Sequence, residues 1–165
     1  MPTETAAVEG FLDREAATAA VSAYADALDA HDWSAYRALF CDQVIIDYGA
    51  IGSLVATIPA SEWVDRCRAL EGFDATAHRL NNLTATIKDD SATVTSIVDA
   101  AHFVTIDQRI LLADLIGRYT HYLRREGGWK IAGVTLTLVG YPAGHEAFDT
   151  AFAAARTIHA ERNSR

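Results

Sequence analysis

Positive charge is scarce in this chain. Lys and Arg number 14 against 22 Asp and Glu, a formal net charge of −8. No basic patch interleaved with aromatics offsets that balance, so non-specific attraction to nucleic acid or to an anionic membrane is not expected. Cysteine is scarcer: only Cys41 and Cys67 occur, with no C-x-x-C pair and no zinc spacing toward the histidines. Both read as small buried hydrophobes, since a chain of 165 residues has a core that needs no disulfide. Long apolar runs are missing, and none approaches a membrane span. The opening residues, MPTETAAVEGF, lack a charged segment followed by an apolar one, so no signal peptide is expected and a cytoplasmic location is the default. Low-complexity linkers and internal repeats are also absent, which leaves one domain over 1–165.

What is present is ordinary globular material. Half the residues are hydrophobic and 22% are charged. Residues 1–10 read as a loose arm, after which Asp13 is placed to cap a helix. Val21, Tyr24, Ala25 and Leu28 recur at helical spacing, with Asp29 at the helix end. Asp32 caps a second short helix carrying Trp33, Tyr36, Leu39 and Phe40, and VIIDY follows as a strand. Residues 49–56 read as a loop. Pro59 opens a third helix striped by Trp63, Val64, Cys67 and Leu70, which Gly72 ends. The apolar period then changes from 3.6 to 2. Four strand-like segments follow, with turns at Asp89-Asp90 and Gly127-Gly128, and an alanine-rich helix closes the chain. Helices segregated from an antiparallel meander mean α+β. A strongly curved sheet wrapped over the N-terminal helices would make a cone with an internal cavity, the C-terminal helix lying over its mouth.

The candidate chemistry lies in a few scattered polar residues. His78 and Asn82 share one face of their strand, and His102 lies beside Ala100 and Val98 on the next. Arg118, Thr120 and Tyr122 share one face of the third. Each has a plainer explanation: a strand histidine is more often structural, Asp29 can cap a turn, Tyr24 and Tyr48 can be core aromatics, and Arg118 can sit in a surface salt bridge. His31, His121, His145 and His159 are assigned to surface or packing. Against the plain reading of Asp29, a carboxylate at a helix C-terminus faces the negative end of the dipole and calls for a compensating cation. An Asp–His pair in an apolar cavity is a general acid–base unit. Metal binding is weakly supported, because the three residues are scattered without H-x-H or E-x-x-H spacing.

Taken in order, D-x-x-D-W at 29–33, I-D-Y at 46–48, P-A-x-E-x-V at 59–64, His78, His102, G-G-W-K-I-A-G at 127–133 and F-D-x-x-F at 148–152 resemble the SnoaL-like group of the nuclear transport factor 2-like superfamily. Within it they are nearest to the scytalone dehydratases. The resemblance implies a cone fold, loss of water from a cyclic alcohol beside a ketone, and no metal or organic cofactor. It makes His78 the general acid–base, pairs Asp29 with His102, and makes Tyr48 the donor to the carbonyl oxygen. Phe148 and Phe152 become a hydrophobic lid. The chain departs from that pattern at Leu28, where the dehydratases carry a tyrosine, and at Ile116 and Arg118, where they carry a serine and an asparagine. Tyr24 lies one turn earlier and forms a Tyr-x4-Asp pair similar to that of bile-acid 7α-dehydratase. Arg118 could bind an anionic group or stabilise an enolate.

The expected function is therefore a cofactor-independent lyase, a dehydratase acting on a small hydrophobic cyclic substrate. The catalytic set is Asp29, His78, His102, Tyr48 and Tyr24, and the substrate contacts are Arg118, Asn82, Phe148, Phe152, Leu28 and Ile116. Two alternatives stay open: an isomerase, cyclase or epoxide-opening enzyme using the same groups, and a non-catalytic ligand-binding module. A homo-oligomer, dimer or trimer, is expected by resemblance.

Overall fold

The computed structural model describes residues 4–164. Four helices, α1 (Glu4–Asp29), α2 (Trp33–Ala38), α3 (Ala60–Cys67) and α4 (His145–Asn163), accompany six strands. The strands are β1 (Phe40–Asp47), β2 (Val55–Pro59), β3 (Ala75–Lys88), β4 (Ser91–Ile106), β5 (Arg109–Arg125) and β6 (Trp129–Gly140). The architecture is the expected α+β: N-terminal helices, one curved, unclosed sheet and a C-terminal helix. The sheet order is β2-β1-β6-β5-β4-β3. All neighbours are antiparallel except β1 and β6, which run parallel.

The long antiparallel strands follow from their alternation. On β4 the even residues Ala92, Val94, Val98, Ala100 and His102 are buried, so this face looks onto the helices. Register then fixes β5: Val98 pairs with Gly117 and His102 with Ala113, which turns the odd residues of β5 inward. At Gly117 a Cβ would lie 2.8 Å from both the Thr137 carbonyl oxygen and a Leu136 methyl. The β5–β6 register shifts at this glycine, so β6 presses in there and the sheet bends.

The helices fill the concave side. Val21, Tyr24 and Leu28 of α1 pack into a core with Tyr36, Phe40, Ile46 and Trp63. Asp32 caps α2 by accepting the Ala35 backbone N–H at 2.9 Å. Asp13 does not cap a helix. It lies inside α1 and accepts two hydrogen bonds from Arg125 (3.0 and 2.7 Å) and one from Trp129 Nε1 (3.0 Å), fastening α1 to the β5–β6 hairpin. The loose arm expected over 1–10 is helical from Glu4 onward, and residues 1–3 lie outside the described residues. The loop expected over 49–56 also changes: Val55 begins an edge strand that ends at Pro59, where a missing N–H breaks no ladder.

Candidate active site

The concave face of the sheet and helices α1, α3 and α4 enclose a cavity of about 690 Å³. That volume suits a small organic ligand. Leu28 of α1, Trp63 of α3, Leu115 of β5 and Phe148 and Phe152 of α4 give it largely apolar walls. Phe152 lies with its ring 5.0 Å from His102 and 4.5 Å from Phe148, so α4 closes this side with aromatic surface.

His78 and His102 line the cavity from adjacent strands, their rings perpendicular and 5.0 Å apart. Asp29 stands behind His78. Its Oδ1 lies 2.7 Å from His78 Nδ1 and accepts the Thr76 hydroxyl at 2.7 Å, and its Oδ2 accepts the His78 backbone N–H at 2.7 Å. Burial alone would raise the Asp29 carboxyl. Hydrogen bonding and charge from the His78 ring, with the His78 backbone and Thr76 added, outweigh it and hold the group below its usual value. An ionised carboxylate only accepts, so His78 Nδ1 carries the proton. In the neutral ring, Nε2 then holds the free lone pair.

His102 is fixed in the same tautomer by a different partner. Its Nδ1 donates to the Ala113 carbonyl at 3.0 Å. Burial, and secondarily the neighbouring His78, push its pKa down to about 3, so the ring is neutral at ordinary pH. The expected Asp29–His102 pair is thus replaced by an Asp29–His78 pair.

A second polar group crosses the cavity wall. The Tyr24 and Tyr48 hydroxyls are 2.8 Å apart, and Tyr48 donates to Tyr119 at 3.3 Å. Each hydroxyl has one proton. With Tyr48 spent on Tyr119, Tyr24 donates to Tyr48, and the Tyr119 proton is left for a ligand. Burial pushes Tyr24 and Tyr48 well above the usual phenol range. Tyr119 is raised by burial too, but the hydrogen bond it receives from Tyr48 offsets part of that and it reaches only about 12. It is therefore the end of the chain best able to stabilise a developing oxyanion. Cys67 also lines the cavity, but burial pushes its thiol up to about 12, which leaves it inert as a nucleophile.

The sequence-predicted residues divide cleanly. Tyr24, Leu28, Tyr48, His78, His102, Phe148 and Phe152 line the cavity, and Asp29 binds one of them. Asn82, Ile116 and Arg118 do not line it. A bulge between Asn81 and Thr84, with Asn82 at φ 54°, reverses the alternation of β3 and leaves Asn82 exposed. Arg118 and Ile116 pair with Ile97 and Asp99 on the convex face, and Arg118 is exposed. Tyr119, unnoticed in the sequence, takes the inward place. The signal was available: Asp114, Arg118 and Arg124 charge the even face of β5, while Ala113, Leu115, Gly117, Tyr119, His121 and Leu123 make an uncharged odd face. Two arginines at the cavity, Arg66 and Arg156, were also missed. The run Phe148, Phe152, Arg156 at four-residue spacing marks one face of α4. Among the described residues, no group of three or more His, Cys, Asp or Glu side chains could hold a metal ion, and no helix is long and apolar enough to cross a membrane.

A helical cap over a curved six-stranded sheet, enclosing an apolar cavity with a few convergent polar groups, defines a small cone-shaped ligand-binding domain. A family model of the SnoaL-like domain matches residues 9–135, more than half of the chain, and the chain belongs to that family. Among solved structures, the Kfla4162 protein from Kribbella flavida is 25% identical, over 84% of this chain and 98% of that one, with a TM-score of 0.77. A candidate dehydratase of the NTF2-like family from Streptomyces avermitilis is 17% identical, over 78% and 97% of the two chains, with a TM-score of 0.68. A candidate scytalone dehydratase from Novosphingobium aromaticivorans is 22% identical, over 77% and 84%, with a TM-score of 0.67. At those two identities the likeness is one of fold. A search of curated proteins found no match.

Proposed function

We propose that the protein is a cofactor-independent lyase that eliminates water beside a carbonyl in a hydrophobic cyclic small molecule. The observation that carries this reading is the 2.7 Å contact between His78 Nδ1 and Asp29 Oδ1, with His78 lining an apolar cavity. A carboxylate that fixes the tautomer and supports the imidazolium turns the far nitrogen into a general base.

The reaction divides among the residues as follows. His78 Nε2 takes the proton from the carbon next to the carbonyl. The electron pair of that C–H bond moves toward the carbonyl oxygen, and the Tyr119 hydroxyl, supported by Tyr48 and Tyr24, stabilises the enolate. The enolate reforms the carbonyl and makes the new C=C bond as the C–O bond to the hydroxyl breaks. The imidazolium of His78 returns its proton to the departing oxygen, which leaves as water. His102, neutral with its Nδ1 occupied, accepts a hydrogen bond from the substrate hydroxyl and orients it. Phe148 and Phe152 exclude bulk water.

Isomerisation is the second reading, and the hydroxyl chain favours it: base and oxyanion donor are all that enolisation requires. Products decide between them. A cyclic β-hydroxy ketone should give a conjugated enone with rising ultraviolet absorption, and His78→Ala should abolish that signal while leaving ligand affinity nearly unchanged. Turnover that survives in His78→Ala would remove this role, and proton migration without loss of water would favour the isomerase.

A further inference from the structure

The cavity is largely apolar, yet two arginines belong to its lining: Arg66 of α3 and Arg156 of α4. Arg66 is engaged with Glu62 one turn earlier on its own helix, at 2.9 Å. Arg156 is exposed and, among the described residues, has no hydrogen-bond, ion-pair or stacking partner. One acid lies on the same rim, Asp149, with the His145 ring Nε2 3.5 Å from its carboxylate. The rim therefore carries two positive charges and one negative in a chain whose overall formal charge is −8. A lone arginine spaced four residues from Phe152, itself four residues from Phe148, continues the stripe that faces the cavity.

We propose that the substrate carries an anionic group, and that Arg156, seconded by Arg66, holds it at the mouth while the ring system enters the cavity. This rests on reading the cavity as an active site. A guanidinium presents paired N–H donors matched to a carboxylate or phosphate, and such charge-assisted bonds are stronger than neutral ones. The anion stays in partly solvated surroundings, so no charge is carried into the apolar interior. Binding at one end also fixes which carbon faces His78, because the ring cannot turn end for end without losing the arginine contact.

The test uses the full chain and calorimetry with two probes: an α-tetralone bearing a butanoate arm, and the same molecule with the arm as its carboxamide. The carboxylate is expected to bind about tenfold more tightly. Arg156→Gln should erase that preference and Arg156→Lys should keep most of it. Raising the salt concentration should shrink the preference in the wild type. Equal affinity for the two probes, no measurable binding of the carboxylate, or a preference that survives in Arg156→Gln each overturns the proposal. The enzymatic reading fails separately. If His78→Ala leaves turnover of a β-hydroxy ketone unchanged while the carboxylate preference persists in the same protein, the anion subsite stands and the catalytic assignment falls.

Discussion

Asp29 grips His78 at two points: Oδ1 accepts from the ring Nδ1 and Oδ2 accepts the backbone N–H of the same residue, each at 2.7 Å. The second contact ties the last residue of α1 to β3 directly, so the ring is oriented by backbone as well as side chain. Asp29→Asn keeps the size but offers an amide in place of a carboxylate, which removes both the tautomer preference and the support for imidazolium. We expect kcat on a β-hydroxy ketone to fall about 10²- to 10⁴-fold with little change in ligand affinity. Single-turnover kinetics beside a binding titration checks this, and an unchanged kcat would show that the pair is only structural.

Tyr119→Phe should cost more activity than Tyr24→Phe. Tyr119 ends the hydroxyl chain with its own proton free, whereas Tyr24 acts only through Tyr48. Loss of an oxyanion donor lowers kcat about 10²- to 10³-fold, and the Tyr24 variant should fall well short of that. Arg118→Ala, on the convex face, should leave kcat within about twofold. Comparing kcat for the three variants decides whether Tyr119 is the donor, and a null effect in Tyr119→Phe returns that role to Tyr48.

The difference between Tyr119 and Arg118 shows where sequence reasoning stops. Alternation on β4 was readable because its buried face is almost wholly apolar, and it placed His102 inward. On β3 the same reasoning placed His78 correctly but failed past the bulge at Asn82, where one extra residue reverses the faces. On β5 the charges of Asp114, Arg118 and Arg124 mark the even face as outward, but Thr120 and Tyr122 beside them and Tyr119 and His121 opposite blur the contrast. Pairing with β4, a relation between distant residues, fixes the parity. Asp29 was legible as a candidate, but its choice of His78 over His102 depends on how α1 crosses β3. The edge strand Val55–Pro59 was hidden by its shortness and its proline.

Two buried histidines make the fold acid-sensitive in a predictable window. His102 and His121 are both pushed down to about 3, His121 by burial and His102 chiefly so. His121 is fully buried between Tyr24 and Tyr119, with neither ring nitrogen hydrogen-bonded. In the unfolded chain these rings take up protons near pH 6.5. Between pH 6.5 and 3 the unfolded state thus binds more protons, so stability is full above that window and is lost as pH falls through it. Each histidine contributes a slope of up to about 1.4 kcal/mol per pH unit. Urea unfolding at pH 6 and pH 5 should show the loss, and His121→Leu should remove about half of it. A wild-type midpoint that does not move between these pH values would contradict the burial of both rings.

Gly72 sets how closely α4 can lie over the cavity. A Cβ there would meet the Ala155 carbonyl oxygen at 1.9 Å, so any side chain must push α4 away. Ala155 is fully buried, and Phe152, one turn earlier, rests against His102 and Phe73. Gly72→Ala should therefore act twice: overpacking should destabilise the fold by about 1–3 kcal/mol, and displacement of Phe152 should loosen the cavity and raise KM. Gly140→Ala is the control, because its Cβ would meet nothing within 4 Å, and its stability should stay within about 0.5 kcal/mol of wild type. Thermal unfolding and KM measured on both variants check the prediction. Wild-type stability and KM in Gly72→Ala would mean that α4 does not sit this close to the Arg68–Gly72 turn in solution.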